Sequence, residues 1–354
     1  MKKKILISTG GSGGHVIPAS ILYDHLKKDN EVLICSDVRG NKYLNNNLNN
    51  IKIINTPKLN NIFLLPFNIL IILQLIFKSY FLLRKEKISK LISTGGYMSL
   101  PLILASKILR LKIYLLEPNL VLGRANRFFL NSCEKIFCYS EKLKNFPEKF
   151  KDKIVKIYPL VRKEFYKQDL KNGNKDYFNL LIVGGSQGAS IFDDNLKSKI
   201  INISKISSLR IIHQTSKKNI LNLKKFYTDN NIPNEIFNFD ENFINIIKQS
   251  DICITRAGAS TLAELSVLNI PFIAVPLPSS KDDHQFENAN FYNNNDCCWL
   301  INQDNFEEKI EDILKEILQN KTNYLKKKDN LKKINYQNSW INVNQKILSV
   351  INEN

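Results

Sequence analysis

Ile5-Leu6-Ile7-Ser8-Thr9-Gly10-Gly11-Ser12-Gly13-Gly14-His15 reads as a short apolar strand that runs into a glycine turn and then a helix. The same order recurs at Leu91-Ile92-Ser93-Thr94 into Gly95-Gly96-Tyr97, and at Leu180-Leu181-Ile182-Val183 into Gly184-Gly185-Ser186-Gln187-Gly188. A fourth case is Ile252-Cys253-Ile254-Thr255 into Arg256-Ala257-Gly258-Ala259-Ser260. Glycines let a backbone approach a ligand, and the helix N-terminus behind them offers unpaired N–H groups and a partial positive charge. With two such turns in each half of 354 residues, the chain is expected to form two nucleotide-fold-like domains and to act on a phosphorylated substrate.

Around these turns, apolar strand-like runs alternate with helical patterns, as parallel α/β sheets require. Strands are expected near residues 5–8, 31–35, 51–54, 91–94, 113–116, 136–139 and 154–158 in the first half. In the second half they are expected near 180–183, 209–213, 236–239, 251–255 and 271–275, after a linker around 159–175. The tail, 324–354, reads as one or two helices that could cap either domain.

Hydrophobic content of 44% and charged content of 24% are ordinary for a globular protein. The net charge of +18 has two readings: a Lys- and Asn-rich drift visible even in Asn45-Asn46-Asn47, or attraction to anionic surfaces. Nucleic acid is not an expected partner, because the basic residues are scattered and no zinc-finger or RNP-type pattern occurs. Six cysteines without CxxC spacing read as reduced, mostly buried thiols of a cytosolic protein, and no signal peptide is visible. Segment 62–83 is apolar enough to span a bilayer but carries Pro66, Asn68, Gln74 and Lys78. It reads best as an amphipathic helix with one face on the sheet and one on lipid, anchored by Arg84, Lys85 and Lys87; a buried core helix and a true transmembrane helix are the alternatives.

The loop Gly10–Gly14 is neither a Walker A motif nor a G-x-G-x-x-G fingerprint, so by itself it says little. His15 says more. At the start of a helix its ring is kept neutral, able to accept a proton from a hydroxyl or to bridge to a phosphate, unless it serves merely as a cap. Glu264, one to two turns into a helix, can accept hydrogen bonds from a ribose diol or can be a solvated glutamate. His284 and Gln285 follow a strand's carboxyl end, where α/β folds bind ligands; they suit sugar hydroxyls or a plain helix start. Asp193-Asp194 and Asp282-Asp283 lack the context of a metal-binding DxD loop, so no metal and no cofactor are expected.

Together these motifs resemble the MurG family, bacterial enzymes that add N-acetylglucosamine to a lipid-linked muramyl-peptide. The resemblance runs in order through 10–19, Thr94-Gly95-Gly96-Tyr97, Glu117-Pro118-Asn119 with Gly123 and Asn126, and 184–189. It continues through His213-Gln214-Thr215, 256–264, and Gln285 with Asn288-Ala289. It implies a GT-B fold: α/β, two Rossmann-like domains with parallel sheets facing across a cleft. The implied domains are 1–162 for the acceptor and membrane docking and 163–336 for UDP-N-acetylglucosamine, with a C-terminal helix near 337–354 packing back on the first.

By this resemblance the reaction is metal-independent, inverting transfer to the muramyl 4-hydroxyl of lipid I, giving lipid II and UDP for the cell wall. His15 is the expected base and Glu117 the runner-up. UDP-N-acetylglucosamine is assigned Ser12, Gly13, Gly14, Asn119, Arg162, Ser186, Gln187, Ala259, Ser260, Thr261, Leu262, Ala263, Glu264, His284 and Gln285, with Phe239 and Asp240 near the uracil. The acceptor is assigned Gly10, Gly11, Gly95, Gly96 and Tyr97, its diphosphate lying along the two glycine turns. Segment 62–83 would dock on the anionic cytoplasmic face of the inner membrane, and a cell-wall or division complex would be the setting. The chain departs from the family pattern with Ser12 for Thr, Pro118 for Gln, Tyr158-Pro159-Leu160-Val161 before Arg162, and His284 for Gln. Two rivals are a GT-B relative without this acceptor, such as a glycolipid synthase or a sugar-nucleotide 2-epimerase, and a non-enzymatic membrane scaffold.

Overall fold

The computed structural model describes residues 3–44, 51–57, 65–167, 176–185, 190–238, 240 and 243–353. Ser186, Gln187, Gly188, Ala189 and Phe239, the loop 45–47 and the first residues of segment 62–83 lie outside them. The chain forms two compact units, Met1–Leu160 with Trp340–Asn354, and Val161–Ser339.

In the first unit the strands are β1 (Lys4–Ser8), β2 (Glu31–Ser36), β3 (Ile51–Ile53), β4 (Lys90–Ser93), β5 (Lys112–Glu117), β6 (Lys135–Cys138) and β7 (Ile154–Lys156). They form one parallel sheet in the order β3-β2-β1-β4-β5-β6-β7. The second unit holds β8 (Phe178–Val183), β9 (Leu209–Gln214), β10 (Asn234–Phe237), β11 (Ile252–Thr255), β12 (Phe272–Ala274) and β13 (Cys298–Leu300). Their order is β10-β9-β8-β11-β12-β13, again all parallel. Parallel strands covered by helices on both faces read as near-continuous apolar runs. Accordingly Ile5, Leu6 and Ile7 of β1, and Leu180, Leu181 and Ile182 of β8, are all fully buried.

In each sheet the strand order reverses at one place, between β1 and β4 and between β8 and β11. The crevice at the carboxyl ends of such strands is where open α/β sheets bind ligands. All four glycine turns follow these four strands. β13 was absent from the expected strands: at three residues, Cys298-Trp299-Leu300, it is too short to show a pattern. Its Trp299 ring carries the Lys327 ammonium 4.9 Å from the centroid.

The C-terminal helix Trp340–Asn352 belongs to the first unit. Val343, Ile347 and Ile351 enter the core beside Val16 and Leu22. Trp340 stacks on the buried His25 ring at 3.6 Å, while Asn344 Oδ1 lies 3.1 Å from His25 Nδ1. Burial pushes the His25 imidazole down to about 4, against the opposing Asn344 hydrogen bond. Lys90 Nζ donates to the Ile351 carbonyl, fastening the far end of the helix.

Helix Leu65–Lys85 packs on helix Leu100–Ile108. Ile72 and Leu83 are buried, whereas Phe67, Leu70, Leu73, Phe77 and Phe81 are exposed. Their spacing of three and four puts these exposed residues on one face. This helix is long and apolar enough to cross a membrane by length and composition.

Candidate active site

At the β1/β4 switch point the chain packs backbone against side chain with no room to spare. A Cβ on Gly10 would lie 2.8 Å from Met98 Cγ and 2.9 Å from Asp37 Oδ1, so only glycine fits. Thr94 Oγ1 donates to Thr9 Oγ1 at 2.9 Å, joining the ends of β1 and β4. Helix Gly13–Leu26 starts here, and its first amide with an i−4 acceptor is that of Val16, bonded to the Ser12 carbonyl. The Gly13 and Gly14 amides precede that bond and are oriented for an anion. Ser12 makes no side-chain cap, which leaves its exposed hydroxyl for other partners.

His15 Nδ1 lies 2.7 Å from the Thr94 carbonyl oxygen. A carbonyl can only accept, so Nδ1 carries the proton and a neutral ring has its lone pair on Nε2. That nitrogen lies toward the second glycine turn, 3.9 Å from the place a Cβ on Gly96 would occupy. His15 is therefore more than a helix cap: its backbone is in the first turn and its ring is oriented by the second.

Glu117, at the end of β5, is buried and fully used. Oε1 accepts from the Asn119 amide at 3.2 Å and from Asn119 Nδ2 at 3.1 Å. Oε2 accepts from the Gly123 amide at 2.8 Å and from Asn126 Nδ2 at 2.9 Å. The carboxylate thereby shapes the loop from Pro118 to Asn126. Gly95, at φ +86°, sits against that loop: a Cβ there would lie 3.2 Å from Asn126 Nδ2 in a backbone conformation that favours glycine.

Two residues of this neighbourhood were missed in the sequence. Asp37, after β2, accepts from the Gly11 amide at 2.8 Å and the Gly40 amide at 2.7 Å through Oδ1. Its Oδ2 takes Arg39 Nε at 3.1 Å and Nη2 at 2.8 Å. Arg39 Nη2 also donates to the Tyr97 hydroxyl, and the guanidinium lies 5.6 Å from the Tyr97 ring centroid. Burial opposes the charge of Asp37, but the two amides and Arg39 outweigh it and hold the carboxyl below the usual range. An acid and an arginine two residues apart, at the start of the short helix Val38–Asn41, give no sequence signal of this arrangement.

In the second unit, helix Ala259–Val267 follows β11, with Gly258 extended before it. Its first i−4 bond is Leu262 N–H to the Gly258 carbonyl at 3.0 Å, so the amides of Ala259, Ser260 and Thr261 open the helix without intrahelical acceptors. Leu262 and Ala263 face the core. Glu264 is buried on the same helix, and Arg162 Nε and Nη2 both reach its Oε1, at 3.1 and 3.0 Å. Glu264 Oε2 is bonded to no described residue. Burial raises the Glu264 carboxyl above the usual range, with Arg162 working against the shift. Arg162 in turn lies 4.9 Å from the Phe165 ring centroid.

After β12, Gln285 Oε1 accepts from the Leu277 amide at 3.0 Å, and His284 Nδ1 lies 2.8 Å from the Lys281 carbonyl. Both are half-buried at the start of helix His284–Asn294. Before them Asp282 and Asp283 hold left-handed φ values of 53° and 56°, a costly local geometry of the kind that clusters at functional sites. Asn288 Nδ2 donates to the Ala257 carbonyl at 3.2 Å, tying this helix to the turn after β11. The Arg256 guanidinium is turned inward, onto the Val275 and Pro276 carbonyls and Gln303.

Asp193 is not presented to a metal. Its Oδ2 accepts from Thr215 Oγ1 at 2.6 Å and Asn219 Nδ2 at 2.7 Å, and its Oδ1 faces the buried His213 Nε2 at 3.1 Å. Among the described residues no cluster of three or more His, Cys, Asp or Glu could hold one ion. All six cysteines are buried and free.

The glycosyltransferase family 28 N-terminal domain matches residues 5–138, and the family 28 C-terminal domain matches residues 179–339. The chain is 54% identical to the UDP-N-acetylglucosamine–N-acetylmuramyl-(pentapeptide) pyrophosphoryl-undecaprenol N-acetylglucosamine transferase of Pelagibacter ubique, over all of both chains. It is 34% identical to the enzyme of the same name from Rickettsia felis, over 90% of this chain and 91% of the relative. Among solved structures, MurG of Acinetobacter baumannii shares the fold at a TM-score of 0.78, with 22% identity and full coverage of both chains. The UDP-GlcNAc 2-epimerase of Neisseria meningitidis shares it at 0.69, with 14% identity, over 99% of this chain and all of that one.

Proposed function

The chain belongs to the MurG family of N-acetylglucosaminyltransferases, and we propose that the residues placed above divide that family's reaction between the two units. The enzyme moves N-acetylglucosamine from UDP-N-acetylglucosamine to the muramyl unit of lipid I, giving lipid II and UDP. Both units are Rossmann-like, and the fold is of the GT-B class.

In an inverting transfer the muramyl 4-hydroxyl attacks the anomeric carbon as UDP leaves from the opposite face. The hydroxyl must lose a proton, and the leaving diphosphate must find positive charge or N–H donors. We assign the first task to His15 and carry the assignment on one observation: its Nδ1 proton is committed to the Thr94 carbonyl, so Nε2 is an acceptor in the first unit's ligand crevice. Glu117 has all four of its acceptor directions in use, which supports a role in shaping the 118–126 loop and, through it, Gly95 and Asn119.

The acceptor's diphosphate is assigned to the turns Gly10–Gly14 and Gly95–Tyr97. In the second unit the amides of Ala259, Ser260 and Thr261 suit the nucleotide, and Glu264 Oε2 suits a ribose hydroxyl while Arg162 occupies Oε1. Ser186 and Gln187 are assigned to the donor's diphosphate from their place after β8 at the switch point. Gln285 and His284 are assigned to the sugar. The exposed face of helix Leu65–Lys85, followed by Arg84 and Lys85 in its last turn, suits peripheral docking on an anionic cytoplasmic membrane surface.

The test is transfer of labelled N-acetylglucosamine from UDP-N-acetylglucosamine to a short-chain lipid I analogue, with EDTA present. Transfer is expected. UDP binding without transfer would leave the donor half standing and overturn the acceptor assignment.

A further inference from the structure

The two glycine turns of the first unit supply N–H donors to a ligand but no charge, and a diphosphate bound by amides alone would lack a countercation. Arg39 stands beside both turns. Its partner Asp37 holds the Gly11 amide of the first turn at 2.8 Å, and its Nη2 is bonded to Tyr97 of the second. A guanidinium carries five N–H donors in a planar fork. Nε and Nη2 are engaged here, and Nη1 has no partner among the described residues. The side chain is 47% exposed although its anchor Asp37 is almost buried, so an oriented cation is held at the surface of the crevice.

Asp37 holds Arg39 through Oδ2 alone, its Oδ1 being taken by two amides, so one edge of the guanidinium stays open to a further anion. Charge-assisted, forked contact to phosphate oxygens is what a pre-oriented arginine does best. The tyrosine face and hydroxyl limit its rotamers, which lowers the entropy lost when a ligand binds.

We propose that Arg39 is the side-chain cation that binds the diphosphate of the lipid-linked acceptor, with Asp37 and Tyr97 as the residues that position it. This rests on the assignment of the acceptor to the first unit. Arg39 touches substrate and takes no part in proton transfer.

The experiment measures steady-state constants for wild type, R39A, R39Q and R39K. It uses a short-chain lipid I analogue and a second acceptor in which a single phosphate replaces the diphosphate. With the diphosphate acceptor, R39A and R39Q are expected to raise the acceptor KM about 10- to 100-fold, the range of one charge-assisted contact. The KM for UDP-N-acetylglucosamine stays within about twofold, as expected for a residue of the acceptor's unit. R39K, which keeps charge but loses the fork, falls between. With the monophosphate acceptor the penalty shrinks to severalfold or less.

A glutamine keeps an N–H donor for Asp37, so R39Q carries the test if R39A does not fold. An unchanged acceptor KM would overturn the proposal, as would an equal penalty on both acceptors, which would mean a purely structural clamp. A wild-type enzyme that transfers nothing would instead refute the functional reading beneath it.

Discussion

Replacing Glu117 with glutamine separates the two roles that its position at the end of β5 allows. The carboxylate accepts four hydrogen bonds, two at each oxygen, at 3.2, 3.1, 2.8 and 2.9 Å. Glutamine preserves the shape but has only one acceptor oxygen. Its best orientation keeps the shorter pair, from Gly123 and Asn126, and turns an NH2 toward the amide and side chain of Asn119. Two bonds to a charged acceptor are lost, each worth about 1.5–3 kcal/mol, and two donors meet two donors. The loss is about 3–6 kcal/mol of first-unit stability. For a unit of this size that is roughly 6–24 °C in Tm at about 2–4 °C per kcal/mol. Thermal unfolding followed by circular dichroism reads the shift directly, and turnover is measured well below the transition. If Glu117 is a positioning residue, Tm falls by that amount and activity falls with the ordering of the loop. An E117Q protein with unchanged Tm and turnover reduced about 10²–10⁴-fold would rule out the positioning role and make Glu117 the base.

Removing Arg162 takes away the group that counters the upward shift of the Glu264 carboxyl, so Glu264 ionises at higher pH. R162A should raise the KM for UDP-N-acetylglucosamine and move the acid limb of kcat/KM for that substrate to higher pH; an unmoved limb would detach Glu264 from donor binding. His25 is held neutral, with its ring pushed down to about 4. The unfolded chain binds the proton first, so stability is full above about 6.5 and falls with pH through about 4, by roughly 3 kcal/mol at most. Trp340 fluorescence should therefore report loosening of the C-terminal helix between these values, and a H25Q variant should show no such acid step. F77E, on the exposed face of helix Leu65–Lys85, should weaken sedimentation with anionic vesicles several-fold and leave turnover of a short-chain acceptor intact; unchanged sedimentation would place docking elsewhere.

What could be read in the sequence was whatever depends on local order along the chain. The seven strands of the first sheet and the four glycine turns are short apolar runs bounded by residues of fixed conformational meaning, and the topology put every turn at a switch point. β13 escaped because three residues carry too little periodicity, and its place is set by pairing with β12. The site was legible in residue type and not in connection. His15 stood out by its helix-start position, but its tautomer depends on a carbonyl 79 residues away. Glu117 stood out as a carboxylate, but its commitment depends on amides that only the folded loop brings back to it. Asp37 and Arg39 carry no pattern at all, since their partners Gly11 and Tyr97 lie in turns that converge only across the sheet.

The proposed transfer turns on His15 Nε2 taking the muramyl hydroxyl's proton. Turnover of H15A and H15Q with both substrates saturating tests it most directly. Turnover is expected to fall about 10²–10⁴-fold, with Tm and UDP binding close to wild type. Near-normal turnover of a folded H15A would rule His15 out as the base and give that role to another residue.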